Sequence, residues 1–395
     1  MRKSNFFKII TSTMAFAMLL GLASCSNKLP DETLPPPTTT TESTTETTVE
    51  STAESTETTK PAHGPNSTPV VTERPVDIHG QLSVKGTDLV DKNGEKVQLK
   101  GMSSYVLNAS AYFWNAEAVK TLAQDWGCSI LRVAVSTEGG GDGYVSNPDK
   151  YLTLTSKIID LCVDQGIYVL IDWHILPDGD PNEFAEQSED FFTRISALYK
   201  DCPNVIYEVC NEPNGKRFDD QSKTVDWKNT VKPYAERIIK AIRKNDPDNV
   251  IIVGTPTWSQ DVDIASKDPI KGDNLMYTLH FYAGSHGQDL RDKLLTANKN
   301  GCAVFVTEWG TTGDSGGGPL FLEETQVWLD FLEEHNISWC NWSIGSPASE
   351  NSNALKFASK VLTIEEKYQG HWPDEFISDS GKFVRDYLLK GVTGN

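Results

Sequence analysis

The chain has 395 residues, and its 55 acidic and 36 basic residues give it a formal net charge of −19. This balance argues against a nucleic-acid partner, because nucleic acids are bound through clusters of Lys and Arg. No C-x-x-C pair occurs among the seven cysteines, which argues against a zinc site. After Cys25 we expect free and mostly buried thiols at Cys128, Cys162, Cys202, Cys210, Cys302 and Cys340.

The first segment, residues 1–24, is predicted to be a secretory signal peptide. Basic residues precede an apolar run that is too short for a convincing membrane span and ends in small residues. The run closes with Leu22-Ala23-Ser24-Cys25, which resembles a bacterial lipobox and implies lipidation of Cys25 after cleavage. The sequence therefore predicts an extracellular, cell-surface lipoprotein that is held at the membrane by its lipid alone. The alternative is an ordinary signal peptide in which Cys25 has no special role.

Residues 25–77 are predicted to be a disordered linker. Its central part, residues 38–59, holds twelve Thr and five Glu with no basic residue, so it has little apolar surface to bury and stays extended. Proline residues at both ends of this part are typical of a stalk rather than of a domain. We expect the stalk to hold the following domain away from the cell surface.

Residues 78–395 are predicted to form one α/β domain. A small N-terminal β-hairpin is expected over residues 82–99, with Asn93-Gly94 as its turn. Apolar runs then alternate with helical patterns, and the runs lie at residues 97–103, 129–135, 167–173, 204–210, 249–254, 275–281, 303–309 and 337–343. Eight such units favour a closed (β/α)8 TIM barrel over an open sheet.

Polar and aromatic side chains follow or end most of the predicted strands. In a barrel of this kind, active sites lie at the carboxyl ends of the strands. The residues at those ends are Asp172, Trp173, His174, Asn211, Glu212, Trp258, His280, Tyr282, Glu308, Trp309, Asn341 and Trp342, and Arg132 lies within the second strand. Each polar group would otherwise bring its own desolvation cost, so their coincidence at one edge indicates an active site.

Two of these residues, Glu212 and Glu308, are carboxylates on the fourth and seventh predicted strands. A carboxylate pair flanked by aromatic side chains suits cleavage of a glycosidic bond, with one acid protonated and the other ionised. Arg132 near one acid would keep it ionised, while burial would raise the pKa of the other. Taken singly, Glu212 is also compatible with a helix-capping position, and Arg132 with a structural ion pair.

Seven motifs together resemble glycoside hydrolase family 5, and most closely its bacterial endoglucanases. They are LRVAV, IDWHIL, YEVCNEPNG, GTPTWSQDV, HFYAGSHGQ, TEWG and NWSIG, and the resemblance runs from about Gln81 to the end of the chain. It implies that Glu212 is the acid/base and Glu308 the nucleophile of a retaining reaction. It also implies supporting or substrate-binding roles for Arg132, His174, Asn211, Trp258, His280, Tyr282 and Trp342.

The implied roles of these residues differ. Arg132 would hold Glu308 ionised, with His280 and Tyr282 alongside, and Asn211 would bind the sugar 2-hydroxyl. The remaining three contact the sugar chain: His174 at the cleavage site, Trp342 as the floor beneath it, and Trp258 as a stacking surface on the leaving-group side.

The chain departs from the endoglucanase pattern on the non-reducing-end side of the substrate groove. Tyr105, Asn108 and Ala109 stand where a histidine, a glutamine and a tryptophan are usual, and Ser136 stands where a tyrosine is common. Ala348 or Pro347 takes the place of a lysine, although Glu350 fits the pattern. We therefore expect intact chemistry beside a rebuilt part of the substrate site.

The resemblance predicts a retaining endo-β-1,4-glucanase that hydrolyses cellulose or related β-glucans without a cofactor and without a metal. The altered groove leaves open a β-mannanase or another hemicellulase of the same family. A barrel that binds polysaccharide without catalysis is a further alternative, and the presence of both Glu212 and Glu308 argues against it.

Overall fold

The computed structural model describes residues 71–138, 141–215, 224–345, 350–356 and 370–393. The predicted signal peptide, Cys25 and most of the predicted linker lie outside these residues, as do Pro347 and Ala348.

Eight parallel strands form a closed barrel in the order β10-β3-β4-β5-β6-β7-β8-β9. Their bounds are β3 Lys100–Ser104, β4 Ile130–Ser136, β5 Tyr168–His174, β6 Val205–Glu208, β7 Ile251–Val253, β8 Leu275–Tyr282, β9 Val304–Gly310 and β10 Trp339–Ile344. Each predicted apolar run overlaps one of these strands, and the bounds differ by at most three residues at either end. The prediction of a (β/α)8 TIM barrel is therefore confirmed.

Helices of very different length connect the strands. The α-helices are α1 Pro75–His79, α2 Leu107–Ser110, α3 Ala116–Lys120, α4 Pro148–Gln165, α5 Ala185–Tyr199, α6 Lys232–Arg243, α7 Pro256–Ser259, α8 Val262–Ala265, α9 Gln288–Lys299, α10 Leu322–Glu334 and α11 Asp379–Thr393. Two short segments are π-helical, namely Thr121–Asp125 and Trp227–Val231. Two others are 3-10 turns, namely Ala111–Phe113 and Asp374–Phe376. Among the described helices, none combines the length and the apolar character that crossing a membrane would require.

Helix α4 illustrates how the sequence sets these boundaries. Pro148 occupies the first turn, where its missing N–H leaves no bond unmade. Gly166 ends the helix with φ of 68°, a left-handed conformation that glycine adopts without strain. Between these ends, apolar residues recur at helical spacing, and they are the residues that the structure buries against the barrel.

A two-stranded antiparallel sheet precedes the barrel, as predicted, but its turn differs from the predicted one. Strands β1 Ser83–Lys85 and β2 Asp88–Val90 pair across Gly86 and Thr87. The Asn93-Gly94 turn instead closes a single bridge between Val90 and Lys96. The side chain of Asp91 accepts hydrogen bonds from the backbone N–H groups of Asn93 and Glu95, which stabilises this turn locally without extending the sheet.

Residues 71–77, which the sequence predicts as the end of the linker, contact the barrel in the structure. The Val71 N–H donates to the carbonyl of Gln124 at 2.8 Å. The guanidinium of Arg74 donates to the carbonyl of Asp164 at 2.8 Å, and α1 follows directly. Residues 71–77 therefore pack against the domain that the sequence predicts to begin at residue 78.

Alternation along the strands divides the apolar residues into two clusters. In β5, Tyr168 and Leu170 belong to a cluster that fills the lower barrel together with the N-terminal hairpin, while Val169 and Ile171 belong to the cluster beneath the helices. Above the lower layer the interior becomes polar. Its side chains are Arg132, Asp172, Glu208, Thr278 and Thr307, all fully buried.

Strand β9 contains a β-bulge just before its carboxyl end. Between its pairings with Thr278 and His280 of β8, it advances from Phe305 to Glu308, one residue more than its neighbour. The pairing with β10 shows the same extra residue. A bulge interrupts alternation. As a consequence, the consecutive residues Thr307 and Glu308 both contact groups inside the barrel.

All six described cysteines are free, as expected from their spacing. Five of them are buried, and Cys202 is half-buried.

Candidate active site

A cleft of about 800 Å³ opens at the carboxyl ends of the barrel strands. Eight side chains that the sequence singles out line it: His174, Asn211, Glu212, Trp258, His280, Tyr282, Glu308 and Trp342. Arg132, the ninth, is fully buried and contacts the cleft residue Glu308 from below. The structure therefore brings all nine residues together.

Both carboxylate oxygens of Glu308 are held by donors. Arg132 Nη1 donates to Oε2 at 2.9 Å, and the Tyr282 hydroxyl donates to Oε1 at 2.8 Å. Burial alone would raise the pKa of Glu308, but the positive charges of His280 and Arg132 outweigh burial and hold this pKa below its ordinary value. Glu308 is therefore an ionised carboxylate in a fixed orientation, as a nucleophile requires.

Glu212 follows β6 and is in the opposite electrostatic situation. Burial raises the pKa of Glu212, and the negative charge of Glu308 adds to the effect, although His280 opposes it. An oxygen of Glu212 and one of Glu308 lie within 4.8 Å of each other. Such a close approach of two oxygens fits retaining glycosidases, whose carboxyl groups lie about 5–5.5 Å apart, better than inverting enzymes, whose carboxyl groups lie about 6.5–9.5 Å apart.

Arg132 is surrounded by three carboxylates. Its Nε donates to Glu208 at 2.8 Å, and its two Nη atoms contact Glu308 and Asp172 at 2.9 Å each. Burial would lower the pKa of Arg132, but these carboxylates raise it well above its ordinary value. Arg132 Nη2 also donates to Asn211 Oδ1 at 2.6 Å, which fixes the amide beside Glu212.

Glu208 was not predicted as a site residue, and Asp172 was predicted at a strand end but was given no role, although a signal for both exists. A buried arginine needs buried counter-charges. Arg132 lies in an apolar strand, so the acids inside neighbouring apolar strands are natural partners for it. Burial raises the pKa of Asp172 to about 6, even though Arg132 opposes the shift.

His174 and Trp342 form one wall of the cleft. Their rings stack at 5.2 Å with planes 6° apart. The Nδ1 atom of His174 lies 2.7 Å from Asp172 Oδ2, so the ring is held from below by a buried acid. A flat indole beside a fixed imidazole is a suitable surface for a sugar ring.

His280 lies beside Glu308 in the strand register, as the resemblance implies, but the hydrogen bond of its ring is with Glu212. Its Nδ1 lies 2.9 Å from Glu212 Oε1, and its Nε2 lies 2.9 Å from the hydroxyl of Thr307. Burial would lower the pKa of His280, but contacts with Glu208 and Glu212 raise it to about 9. Glu212, His280 and Glu308 offer ligand atoms within 4.8 Å of one another, but both nitrogens of His280 are already in hydrogen bonds, so the geometry suits proton handling better than metal binding.

Trp258 reaches the cleft from a strained turn, α7. Thr257, Trp258 and Ser259 are consecutive non-glycine residues with φ values of 56°, 53° and 56°, in the left-handed region. Such conformations cost about 1–2 kcal/mol per residue, so the surroundings must hold them. The Ser259 hydroxyl donates to the carbonyl of Asn211 at 2.6 Å, and the Trp258 N–H donates to the carbonyl of Pro213 at 3.2 Å.

The side of the cleft where the sequence departs from the family pattern is built from Tyr105, Asn108, Ser136 and Glu350. The Tyr105 hydroxyl donates to Glu350 Oε1 at 3.0 Å, and its ring centre lies 5.5 Å from that of Trp342. The Asn108 N–H donates to the Ser136 hydroxyl at 3.0 Å. Ala109 is exposed. Tyr105 therefore extends the aromatic wall that Trp342 begins.

Comparison with known proteins gives a consistent match. The family model described as cellulase (glycosyl hydrolase family 5) matches residues 90–347. An endoglucanase of Clostridium saccharobutylicum is 47% identical over 306 residues, which is 78% of this chain and 64% of that protein. The chain thus spans less than two thirds of the length of this relative.

Solved structures match over a similar range. The catalytic domain of Thermobifida fusca endoglucanase Cel5A is 32% identical, with a TM-score of 0.73 over 80% of this chain and 100% of that one. A variant of the same domain, solved in complex with cellotetraose, matches with a TM-score of 0.72 over the same shares of both chains.

Proposed function

Because the chain belongs to the cellulase family, glycosyl hydrolase family 5, we propose that it is a retaining endo-β-1,4-glucanase acting on cellulose or related β-glucans. One observation carries this proposal: two buried carboxyl groups lie within 4.8 Å of each other, and their surroundings displace the two pKa values in opposite directions. A double displacement at a sugar needs this division between an acid and a nucleophile.

The reaction follows from the geometry. Glu308 attacks the anomeric carbon and forms a glycosyl ester while Glu212 gives its proton to the departing sugar oxygen. Glu212, now ionised, takes a proton from water, and the resulting hydroxide attacks the same carbon. The ester bond breaks and the charge returns to Glu308. Two inversions give net retention of configuration.

The substrate proposal is tested by comparing turnover of carboxymethyl-cellulose, lichenan and glucomannan. We expect the highest kcat/KM on a β-1,4-glucan, with a fall in viscosity that precedes the release of reducing ends, because internal bonds are cut. Highest turnover on glucomannan would favour the β-mannanase alternative, which the Tyr105–Glu350 side of the cleft makes worth testing. No turnover on any β-glycan would contradict the proposal.

We also propose that the protein is a cell-surface lipoprotein anchored at Cys25 through a Thr/Glu-rich stalk. The support is the lipobox-like sequence Leu22-Ala23-Ser24-Cys25 and the composition of residues 38–59, which are mainly Thr and Glu.

A further inference from the structure

We propose that Glu208 is a positioning residue that acts through Thr307 on His280, and so determines which oxygen of Glu212 carries the acid proton. The inference rests on the proposed function, because it concerns the acid/base of that reaction. It concerns residues that lie below the cleft: Glu208 and Thr307 do not line it.

A continuous line of hydrogen bonds joins these residues. Glu208 Oε2 accepts from Arg132 Nε at 2.8 Å, and Glu208 Oε1 accepts from the Thr307 hydroxyl at 2.6 Å. The same hydroxyl lies 2.9 Å from His280 Nε2, and His280 Nδ1 lies 2.9 Å from Glu212 Oε1. Each oxygen of Glu208 therefore has its own partner: Oε2 contacts Arg132, and Oε1 contacts Thr307.

The number of available hydrogens determines which group donates and which accepts in each of these hydrogen bonds. An ionised carboxylate only accepts, so the single hydroxyl hydrogen of Thr307 points at Glu208. Thr307 must then accept from His280 Nε2 and from the hydroxyl of Thr278, which is its other neighbour. Consequently, Nε2 of His280 carries a proton in every protonation state, and Nδ1 is the nitrogen that titrates.

The consequence reaches the catalytic acid. A second proton on His280 sits on Nδ1 and is donated to Glu212 Oε1. The carbonyl oxygen of a protonated carboxyl group is a better acceptor than its hydroxyl oxygen, so this hydrogen bond favours the acid proton of Glu212 on Oε2. When Glu212 gives this proton away, the new carboxylate faces an imidazolium that is already in place. Without that imidazolium, neutral Nδ1 would attract the acid proton to Oε1, away from the leaving group.

Three carboxylates act on the charge of His280, and all belong to the site: Glu208 on β6, Glu212 after it and Glu308 on β9. The other titratable groups of the site are Arg132 on β4, His174 on β5 and Tyr282 on the same strand as His280. The carboxylates raise the pKa of His280 against burial, to about 9, so the ring is cationic at neutral pH. Among the carboxylates in the described part of the chain that raise this pKa, Glu208 is the one on the Nε2 side, where its Oε1 lies 3.8 Å from Nε2.

The first test compares Thr307→Val with Thr307→Ser. Valine keeps the shape but removes the hydroxyl, whereas serine keeps the hydroxyl, so the pair isolates the hydrogen bond. For Thr307→Val we expect the alkaline limb of kcat/KM on unactivated cello-oligosaccharides to move to lower pH, with about a tenfold loss at pH 8. Aryl glycosides with good leaving groups should lose less than about threefold, because their departure needs little acid assistance. Thr307→Ser should restore the wild-type profile.

A second variant, Glu208→Gln, should reverse the donor and acceptor roles in the hydrogen bonds that join residue 208, Thr307 and His280. The Gln amide would donate to Thr307, which frees the hydroxyl to donate to His280 Nε2 and moves the neutral proton to Nδ1. The same acidward shift of the alkaline limb is expected. Asp246→Asn is the matched control, since Asp246 is a fully buried acid that holds Tyr207 and Asn249 rather than the cleft. Its pH profile should equal that of wild type.

Nitrogen-15 NMR of the protein with labelled histidine shows which ring nitrogen of His280 carries a proton, and it does so without any catalytic measurement. The chain has seven histidines, so His280 is assignable with a His280→Asn variant. Wild type should show protonated Nε2 throughout and a high-pH titration of Nδ1, and Thr307→Val should show a lower midpoint. If wild type degrades β-glucan but Thr307→Val matches it in both pH profile and NMR titration, the positioning role of Glu208 is wrong and the proposed function stands. If wild type degrades no β-glycan, the proposed function is wrong, and the NMR result still decides whether Glu208 acts on His280 through Thr307.

Discussion

Glu212 and Glu308 are identical in type and both are buried, yet their environments shift their pKa values in opposite directions. The difference lies in their neighbours. Glu308 accepts from Arg132 and Tyr282, while Glu212 has a single contact, with His280, among the hydrogen bonds described here. At Glu308 the charges of His280 and Arg132 outweigh burial. At Glu212 the negative charge of Glu308 adds to burial, and His280 does not outweigh the two.

Replacing Glu308 with Ala tests the role of the nucleophile. We expect Glu308→Ala to lose at least about 10⁴-fold in kcat, because the covalent step disappears. Azide should restore turnover and give a glycosyl azide of inverted configuration, since only one displacement remains. The control is Glu212→Ala, for which any azide adduct should have retained configuration. An inverted adduct from Glu212→Ala would exchange the two roles.

The pH dependence of kcat/KM should be bell-shaped. Glu308 must be ionised, and its depressed pKa places the acid limb below the ordinary Glu value of about 4.3. Glu212 must be protonated, and its raised pKa places the alkaline limb above that value. Activity is therefore lost as pH falls through the first pKa and as it rises through the second. A profile without an alkaline limb would contradict the role of Glu212.

Residue types at strand ends were sufficient to predict the nine site residues but not their partners. Arg132, Glu212 and Glu308 are conspicuous because a charge interrupts or ends an apolar run. Thr307 is not conspicuous, since threonine is common in strands. The contact of His280 with Glu212 also could not be predicted, because sequence order does not give distances across a barrel.

At the scale of elements, the apolar runs predicted all eight barrel strands, and the structure adds local irregularities that the pattern does not contain. The hairpin turn lies at Gly86 rather than Asn93-Gly94, because Asp91 stabilises the latter as a separate turn. The left-handed turn α7 contains no glycine, so nothing in its composition indicates positive φ. Both features depend on hydrogen bonds to specific side chains.

Ser259 holds α7 against the loop that carries Glu212, and its removal should affect both stability and binding. Ser259→Ala leaves the buried carbonyl of Asn211 and the N–H of Thr255 without this partner, and it should cost about 1–3 kcal/mol in the free energy of unfolding. Because the turn presents Trp258, KM for polymer should also rise. Urea denaturation measures the first effect and initial rates the second.

The exposed residue Ser146 offers a control for this variant, since its hydroxyl contacts only the side chain of Glu138 among the described hydrogen bonds. Ser146→Ala should change the free energy of unfolding by less than about 0.5 kcal/mol. Equal stability of Ser259→Ala and wild type would show that α7 is held by its other contacts.

At the scale of the whole molecule, the alternation of strands and helices predicted the barrel because a parallel sheet has few ways to close. The linker boundary was less accessible to prediction. Residues 71–77 lack a hydrophobic pattern of their own, and they are ordered mainly by backbone and arginine hydrogen bonds to the barrel, such as those of Val71 and Arg74.

The proposed lipidation of Cys25 gives a prediction about the location of the protein. Cys25→Ser should move the protein from the membrane fraction to the medium, because serine offers no thiol for the lipid. The specific activity of the released protein should equal that of wild type, since Cys25 is remote in sequence from the barrel. Membrane association that survives the substitution, measured by fractionation and immunoblotting, would remove the lipoprotein proposal.

Because of the bulge in β9, the number of residues in this strand, and not only their chemistry, determines which of its side chains point into the barrel. Removal of Val306 would restore strict alternation from Phe305 onward. Glu308 would then still lie opposite His280, but Thr307 would turn outward, toward the helices. A one-residue deletion would thus remove the Thr307 hydroxyl from His280 and Glu208, although every polar residue would still be present in the chain.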